Sequence, residues 1–159
     1  MNEPAKKKLL QMIPHALYIL IAEANGKTAA STVSWVTQAS FKPPLIALGA
    51  RADSQTFEIL KQSKNFILNY LGENQKDIAQ KFYKHVDPTE NSIAGEAFVR
   101  SPLHKLPTFP HMAGYLECTI TDIVEHGDHA VVVAEVIAAE LGSANGPLLL
   151  NSTGWSYGG

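Results

Sequence analysis

Apolar and polar residues alternate along this chain in two different rhythms, and their order predicts a β-rich domain carrying a few short helices. Ala16 to Ala24 reads as a largely apolar strand, and Asn25-Gly26 is the strongest two-residue hairpin signal, so Thr28 to Trp35 is expected to return antiparallel. Pro43-Pro44 cannot sit inside a central ladder and marks the start of an apolar strand at residues 45 to 51. A further strand is expected from Asn65 to Leu71. Tyr115 to Glu125 alternates, with Leu116, Cys118, Ile120 and Val124 on one face. Glu117, Thr119, Thr121 and Glu125 fall on the other face, which is expected to be solvated. Gly127-Asp128 then turns the chain into a strand from Ala130 to Glu140, and Asn145-Gly146 precedes a last strand at Pro147 to Asn151.

Helical spacing is confined to three places. Residues 5 to 12 can form a short helix ending before Pro14, since the residue ahead of a proline is pushed out of the helical region. Asp53 is a good N-cap for a helix from Ser54 to Lys61, with Phe57 and Leu60 on one face. Asn74 to Tyr83 places Ile78, Ala79 and Phe82 at helical spacing. Two such helices are too few to cover a parallel sheet. The pattern predicts a mainly β fold, an antiparallel barrel of six or seven strands with two or three peripheral helices. Lys84 to Met112 turns to Pro, His, Ser, Thr and Asn and reads as a long irregular segment; loops beyond about 12 to 15 residues are usually functional or disordered.

Composition narrows the classes of function. A chain of 159 residues fits one domain, residues 1–159, and a domain of this size buries about 70% of the surface its unfolded chain exposes. With a net charge of −2 and no Lys/Arg stripe interleaved with aromatics, nucleic acid is not an expected partner. The one cysteine, Cys118, excludes an internal disulfide and any multi-cysteine metal centre, and its apolar neighbours mark it as packing. Lys6-Lys7-Lys8 ahead of Leu9 to Ala22 has the outline of a signal peptide, but Gln11, Pro14 and His15 interrupt the apolar region. No run approaches the roughly 18 apolar residues of a membrane span, so the expectation is a cytoplasmic protein with no membrane partner. The histidines show no metal-ligand spacing, no metal site is expected, and no Gly-x-Ser-x-Gly elbow supports a hydrolase.

Candidate chemistry concentrates between Thr28 and Thr56. Ser31, Thr32 and Ser34 put small hydroxyls on a strand, which suits either a solvated face or a flat polar ligand approaching the backbone. Gly49-Ala50-Arg51-Ala52 leads to a helix start at Asp53-Ser54-Gln55-Thr56. Unpaired N–H groups and the helix dipole favour an anion there, although a simple capped helix has the same pattern.

In this order the segments resemble the flavin reductase-like, FMN-binding split-barrel family. The matching pieces are Ala30 to Ser40 before Pro43-Pro44, the strand 45 to 48, Ser54-Gln55-Thr56 opening a helix, Phe66 to Leu71, Gly114 to Cys118, and Gly127-Asp128-His129. Within the family the chain is most similar to the flavin reductase module of diflavin flavodiiron proteins, sharing Ile13 to Tyr18 and Ser34 to Phe41. The resemblance implies a Greek-key split barrel, a homodimer, and FMN near the subunit interface. It places isoalloxazine and ribityl contacts at Ser31, Thr32, Val33, Ser34 and Trp35, with Gln38, Ala39 and Ser40 beside them. Phosphate and ribityl contacts fall at Gly49, Ala50, Arg51, Ser54, Gln55 and Thr56. Gly127, Asp128 and His129 match a family motif associated with nicotinamide nucleotides, although a Gly-Asp pair is also an ordinary turn.

The implied activity is hydride transfer from NADH or NADPH to flavin, with electrons passed to free flavin or a protein acceptor. The rival reading is an FMN electron carrier in the manner of a flavoredoxin, without significant NAD(P)H oxidation. One departure stands out. Where many family members end in an aromatic and arginine-rich strand, this chain has Leu148-Leu149-Leu150 followed by a glycine-rich stretch with Trp155 and Tyr157. Those two aromatics are read as core or interface residues, with a cover over the flavin as the alternative.

Overall fold

In the computed structural model, which describes residues 1–159, Asn25 and Gly26 both take positive φ, 51° and 74°. That is the backbone of a tight hairpin turn whose twist matches the flanking strands. It sets β1 (Tyr18–Ala24) against β2 (Lys27–Val33) in register from Tyr18↔Val33 to Ala24↔Lys27. The main sheet is completed by β3 (Val36–Ser40), β4 (Leu45–Arg51), β5 (Asn65–Tyr70), β10 (Gly114–Val124) and β11 (His129–Leu141). Two small ribbons pair β6 (Ser92–Ile93) with β7 (Glu96–Ala97), and β8 (Val99–Arg100) with β9 (Pro107–Thr108). The helices are α1 (Glu3–Gln11), α2 (Gln55–Ser63) and α3 (Lys76–Lys81), and a 3-10 turn covers Leu150–Thr153.

The seven strands run in the order β2-β1-β5-β10-β11-β4-β3, and every neighbouring pair is antiparallel. The two edge strands, β2 and β3, are consecutive in the chain and separated only by Ser34 and Trp35. From Val33 to Val36 the backbone reaches at most about 11 Å. A seven-stranded sheet whose opposite edges are tied that closely must curl on itself, which gives the expected antiparallel barrel with three peripheral helices.

Curling creates an inner and an outer core. Tyr18, Leu20 and Ala22 of β1 point inward with Leu48, Phe66, Leu68, Cys118 and Val132, and α2 adds Phe57, Ile59 and Leu60. Leu17, Ile19 and Ile21 point outward against Ile78, Ala79 and Phe82 of the α3 region and against Ile93, Leu106 and Phe109 of the 84–112 segment. β1 is therefore buried on both faces, which explains its nearly unbroken apolar run. The 84–112 segment, expected to be irregular, folds into the two short ribbons and supplies half of the outer core's cover. Among the helices, α1 contributes no buried residue.

Four local expectations need correction. Ser54, not Asp53, caps α2: its hydroxyl accepts from Phe57 N–H at 3.1 Å, while Asp53 is drawn into a two-pronged pair with Arg51. Residues 36–40 form a strand of their own that pairs with β4, where the sequence showed only a polar approach to two prolines. Pro147 to Asn151 is not a strand; a single bridge joins Ala16 to Leu149 before the 3-10 turn. The alternation along β10 is broken by a bulge that leaves Thr121 unpaired between Ile120 and Asp122. One extra residue reverses which face each later side chain meets. Ile123 consequently packs on the inner core, and Val124 is left exposed.

Glu117 departs furthest from the expected solvated face, because it is completely buried. The strand segment beneath it is covered by residues 101–106, so its carboxylate faces protein. Glu117 Oε1 accepts hydrogen bonds from Ser101 Oγ at 2.8 Å and from the backbone N–H of His104, and lies 3.3 Å from His104 Nδ1. Ser101 Oγ accepts in turn from Leu106 N–H at 3.1 Å. One carboxylate thus ties the loop between β8 and β9 to the sheet. Glu117→Ala is expected to cost about 1–3 kcal/mol, the usual penalty for leaving buried donors unpaired. Glu117→Gln keeps an acceptor oxygen and should cost less. Urea unfolding of both variants checks the ranking, and equal stability of the alanine variant and the parent would exclude a clamp.

Candidate functional site

At the corner where β2 passes to β3, the curled sheet leaves a cleft of about 580 Å³, within the range of small-molecule and cofactor sites, about 300–1,000 Å³. Its walls come from β2 and the Ser34-Trp35 corner, from the end of β4 at Gly49, Ala50 and Arg51, and from Ser54 and Thr56 at the start of α2. His129 at the start of β11 closes one side. The structure therefore brings together Ser31, Thr32, Val33, Ser34, Trp35, Gly49, Ala50, Arg51, Ser54, Thr56 and His129. Gln55 lines a smaller adjoining recess with Lys84 and His85. Gln38, Ala39 and Ser40 lie along β3, with Gln38 and Ala39 exposed, and do not line the cleft. Gly127 and Asp128 sit in the turn ahead of His129, outside it.

The polar groups divide into those already committed and those free. Thr32 is committed: its hydroxyl donates to Ala79 O at 2.6 Å and its N–H to Phe82 O at 3.2 Å, so it pins the end of α3 to β2. Ser54 is committed too, donating to Arg51 O at 2.7 Å while capping α2. Ser31 Oγ and Thr56 Oγ1 share one hydrogen bond of 2.6 Å, which leaves one of the two protons free for a ligand. The backbone N–H groups of Gln55 and Thr56 have no partner in the chain. They belong to a nine-residue helix whose first turn carries a partial positive charge, so that end of the cleft suits an anion. Arg51 adds less than its formal charge, because Asp53 grips it at 3.0 and 2.8 Å. The Arg51 guanidinium beside it holds the Asp53 carboxyl below the usual carboxylate range.

The wall of the cleft beside β4 is aromatic. Trp35 lies against the His129 ring with centroids 4.5 Å apart and against Tyr157 at 5.3 Å. It lies so close to β4 that a Cβ on Gly49 would come within 2.9 Å of its Cε3. His129 Nδ1 lies 3.0 Å from Asp128 Oδ1 and its Nε2 lies 2.8 Å from the Tyr157 hydroxyl. The hydrogen bond from His129 holds the Asp128 carboxyl below its ordinary range. Burial pushes the Tyr157 phenol up. Leu17, Leu20, Leu60 and Phe82 give the cleft an apolar floor, and Tyr83, Leu150, Trp155, Ser156 and Tyr157 complete its rim. Only Trp155 and Tyr157 of these were marked in the sequence, as aromatics in a glycine-rich stretch. The floor residues carry no distinguishing signal, being core residues that also face a void. A helix start open to an anion, an apolar floor and a histidine-aromatic wall suit a flat, phosphorylated ligand.

The family model for the flavin reductase like domain matches residues 10–157. The reductase subunit of stachydrine N-demethylase from Rhizobium meliloti (strain 1021) is 28% identical over 143 residues, 89% of this chain and 60% of that protein. A diflavin flavoprotein from Synechocystis sp. is 29% identical over 141 residues, 88% of this chain and 24% of that protein. This chain therefore spans only part of the length of the curated relatives it matches. Among solved structures, the flavin reductase of styrene monooxygenase from Pseudomonas putida S12 superposes with a TM-score of 0.72 at 25% identity, covering 89% of this chain and 87% of that one. No helix is long and apolar enough to cross a membrane.

The contact between Gly49 and Trp35 is a checkable consequence of the cleft's construction. Gly49→Ala places a methyl carbon where the indole now lies. Overpacking of this kind costs about 1–3 kcal/mol. The variant is expected to unfold at lower urea concentration and to show a shifted tryptophan emission, since the Trp35 ring has to move. Unchanged emission and stability would mean that the indole is not held against β4.

Proposed function

We propose, on the premise that this chain belongs to the flavin reductase like domain family, that it holds FMN in the cleft and accepts hydride from NADH or NADPH. Electrons would then go on to free flavin or a protein acceptor. The observation that carries this reading is that one cleft joins Thr56, with its unpartnered N–H at the start of α2, to the small-side-chain edge of β2. The first suits a phosphate monoester. The second lets a planar ring approach the backbone closely enough for main-chain groups to meet its edge.

Bound flavin supplies the redox chemistry, and hydride transfer itself needs no protein acid or base. The chain's own work is binding, orientation and exclusion of water. Thr56 and Ser31, with the first turn of α2, would hold the phosphate; Ser54 keeps that turn in place as its cap. Val33, Ser34 and Trp35 would face the ring system from β2 and the corner, and Gly49 and Ala50 from β4. Leu20, Leu60 and Phe82 keep the floor dry. His129, whose Nδ1 is held by Asp128, would position the nicotinamide rather than move protons.

A homodimer is part of the reading. Val124 and Val131, directly paired across β10 and β11, are both exposed on the main sheet, as is Ile137, and Phe41 is exposed in the turn between β3 and β4. Exposed apolar residues such as these are what a second copy would cover. Sedimentation of the purified protein is expected to give a dimer, and Val131→Glu with Ile137→Glu a monomer.

The deciding experiment is native purification with a visible spectrum, followed by anaerobic mixing with NADH and with NADPH. Rapid bleaching of bound flavin is expected with one or both. A flavin that binds but is not bleached would indicate an electron carrier, and no binding at all would end the flavin reading. Thr56→Ala should weaken FMN by about ten- to a hundredfold, the size of a hydrogen bond to a charged group, and leave riboflavin nearly unaffected. Equal weakening of both ligands would exclude phosphate at the start of α2.

A further inference from the structure

Of the residues after the 3-10 turn, Trp155 packs against the outer core, and residues 156–159 join neither core. Gly154, at φ 76°, turns the chain back across the mouth of the cleft, and Trp155, Ser156 and Tyr157 line it. The near end is well tied. Thr153 is buried, its carbonyl accepts from Lys76 Nζ, and the Trp155 ring lies 5.2 Å from Tyr83 and 5.0 Å from the Lys76 ammonium. The far end is not. Residues 156–159 are all exposed, and their polar ties are the Tyr157 hydroxyl to His129 Nε2 at 2.8 Å and Gly158 O accepting from Gln11 Nε2 at 3.0 Å. Gln11 belongs to α1, which buries nothing of its own and so offers a weak anchor.

The far end also lies directly on the aromatic wall. A Cβ at Gly158 would come within 2.8 Å of Trp35 Cζ2, and the Tyr157 ring sits 5.3 Å from Trp35 and 6.0 Å from His129. Glycine at 158 allows the segment to pass this close. Tyr157 thus uses both recognition elements of that wall, the exposed face of Trp35 and the outer nitrogen of His129.

We propose that residues 154–159 form a displaceable strap, in which Tyr157 occupies the ground that the nicotinamide ring must take, hinged at Gly154 and anchored at Trp155. The inference rests on the reading of the cleft as a flavin and nicotinamide site. It adds that the site is closed against nucleotide before binding, and that the nucleotide competes with an aromatic side chain of the same protein. Segments held by few buried contacts are the ones that open at low free-energy cost. A ligand whose binding form is only fractionally populated binds more weakly by that fraction, and removing the competing contact restores the lost affinity.

The test uses the flavin-loaded full chain in anaerobic stopped flow, with NADH as the probe. Tyr157→Ala is expected to lower the apparent Kd for NADH about three- to tenfold, the effect of removing the closed state, and Tyr157→Phe to lower it less. FMN affinity, measured separately by fluorescence quenching, should stay within about twofold of the parent. If Tyr157→Ala leaves the Kd unchanged or raises it, the strap is overturned and Tyr157 is a neutral or supporting part of the nucleotide site. A parent protein that binds no flavin fails differently, because the flavin reading itself is then lost.

Discussion

The short tie between the two edge strands is the constraint on which the rest of this molecule depends. With only Ser34 and Trp35 between β2 and β3, the seven-stranded sheet cannot lie open. It curls, and the curl makes an inner core, an outer core and a gap at the corner where the edges come together. The gap is the cleft. Trp35 sits at that corner because it is one of the two connecting residues, and Gly49 is the neighbour that makes room for it on β4. The start of α2 faces the same gap because β4 delivers the chain there through Arg51.

Much of this was legible in the residues. Asn25-Gly26 announced the first hairpin, Pro43-Pro44 the approach to β4, and the spacing of Phe57 and Leu60 the buried face of α2. What stayed hidden has identifiable physical causes. Thr121 is a residue like its neighbours, yet as the unpaired member of a bulge it reverses the faces of Ile123 and Val124. Glu117 looks like a surface residue because its burial depends on a loop about fifteen residues away in sequence. Residues 36–40 alternate too little to announce a strand, and their pairing is decided by β4.

The site was legible in a different way. Hydroxyls on β2 and a capped helix start are each common, and composition alone left them ambiguous; their order along the chain carried the family resemblance. Resemblance could not say which hydroxyls were free. Thr32 and Ser54 turn out to be spent on holding α3 and capping α2, while Ser31 and Thr56 retain a proton to offer. The Gly127-Asp128-His129 motif likewise resolves into one residue in the cleft and two that shape the turn before it.

Thr32 has a consequence beyond the cleft. Through its two hydrogen bonds to Ala79 and Phe82 it joins the wall of the site to the helix that covers the outer core, and Phe82 itself belongs to both. Leu20 and Leu60 do the same for the inner core. The floor of the cleft therefore has no lining that is independent of the fold, and occupancy and folding are thermodynamically linked across both layers. Variation in the floor of this pocket must draw on the same residues that keep the sheet folded, which leaves the rim, and chiefly residues 156–159, as the part of the molecule free to diverge.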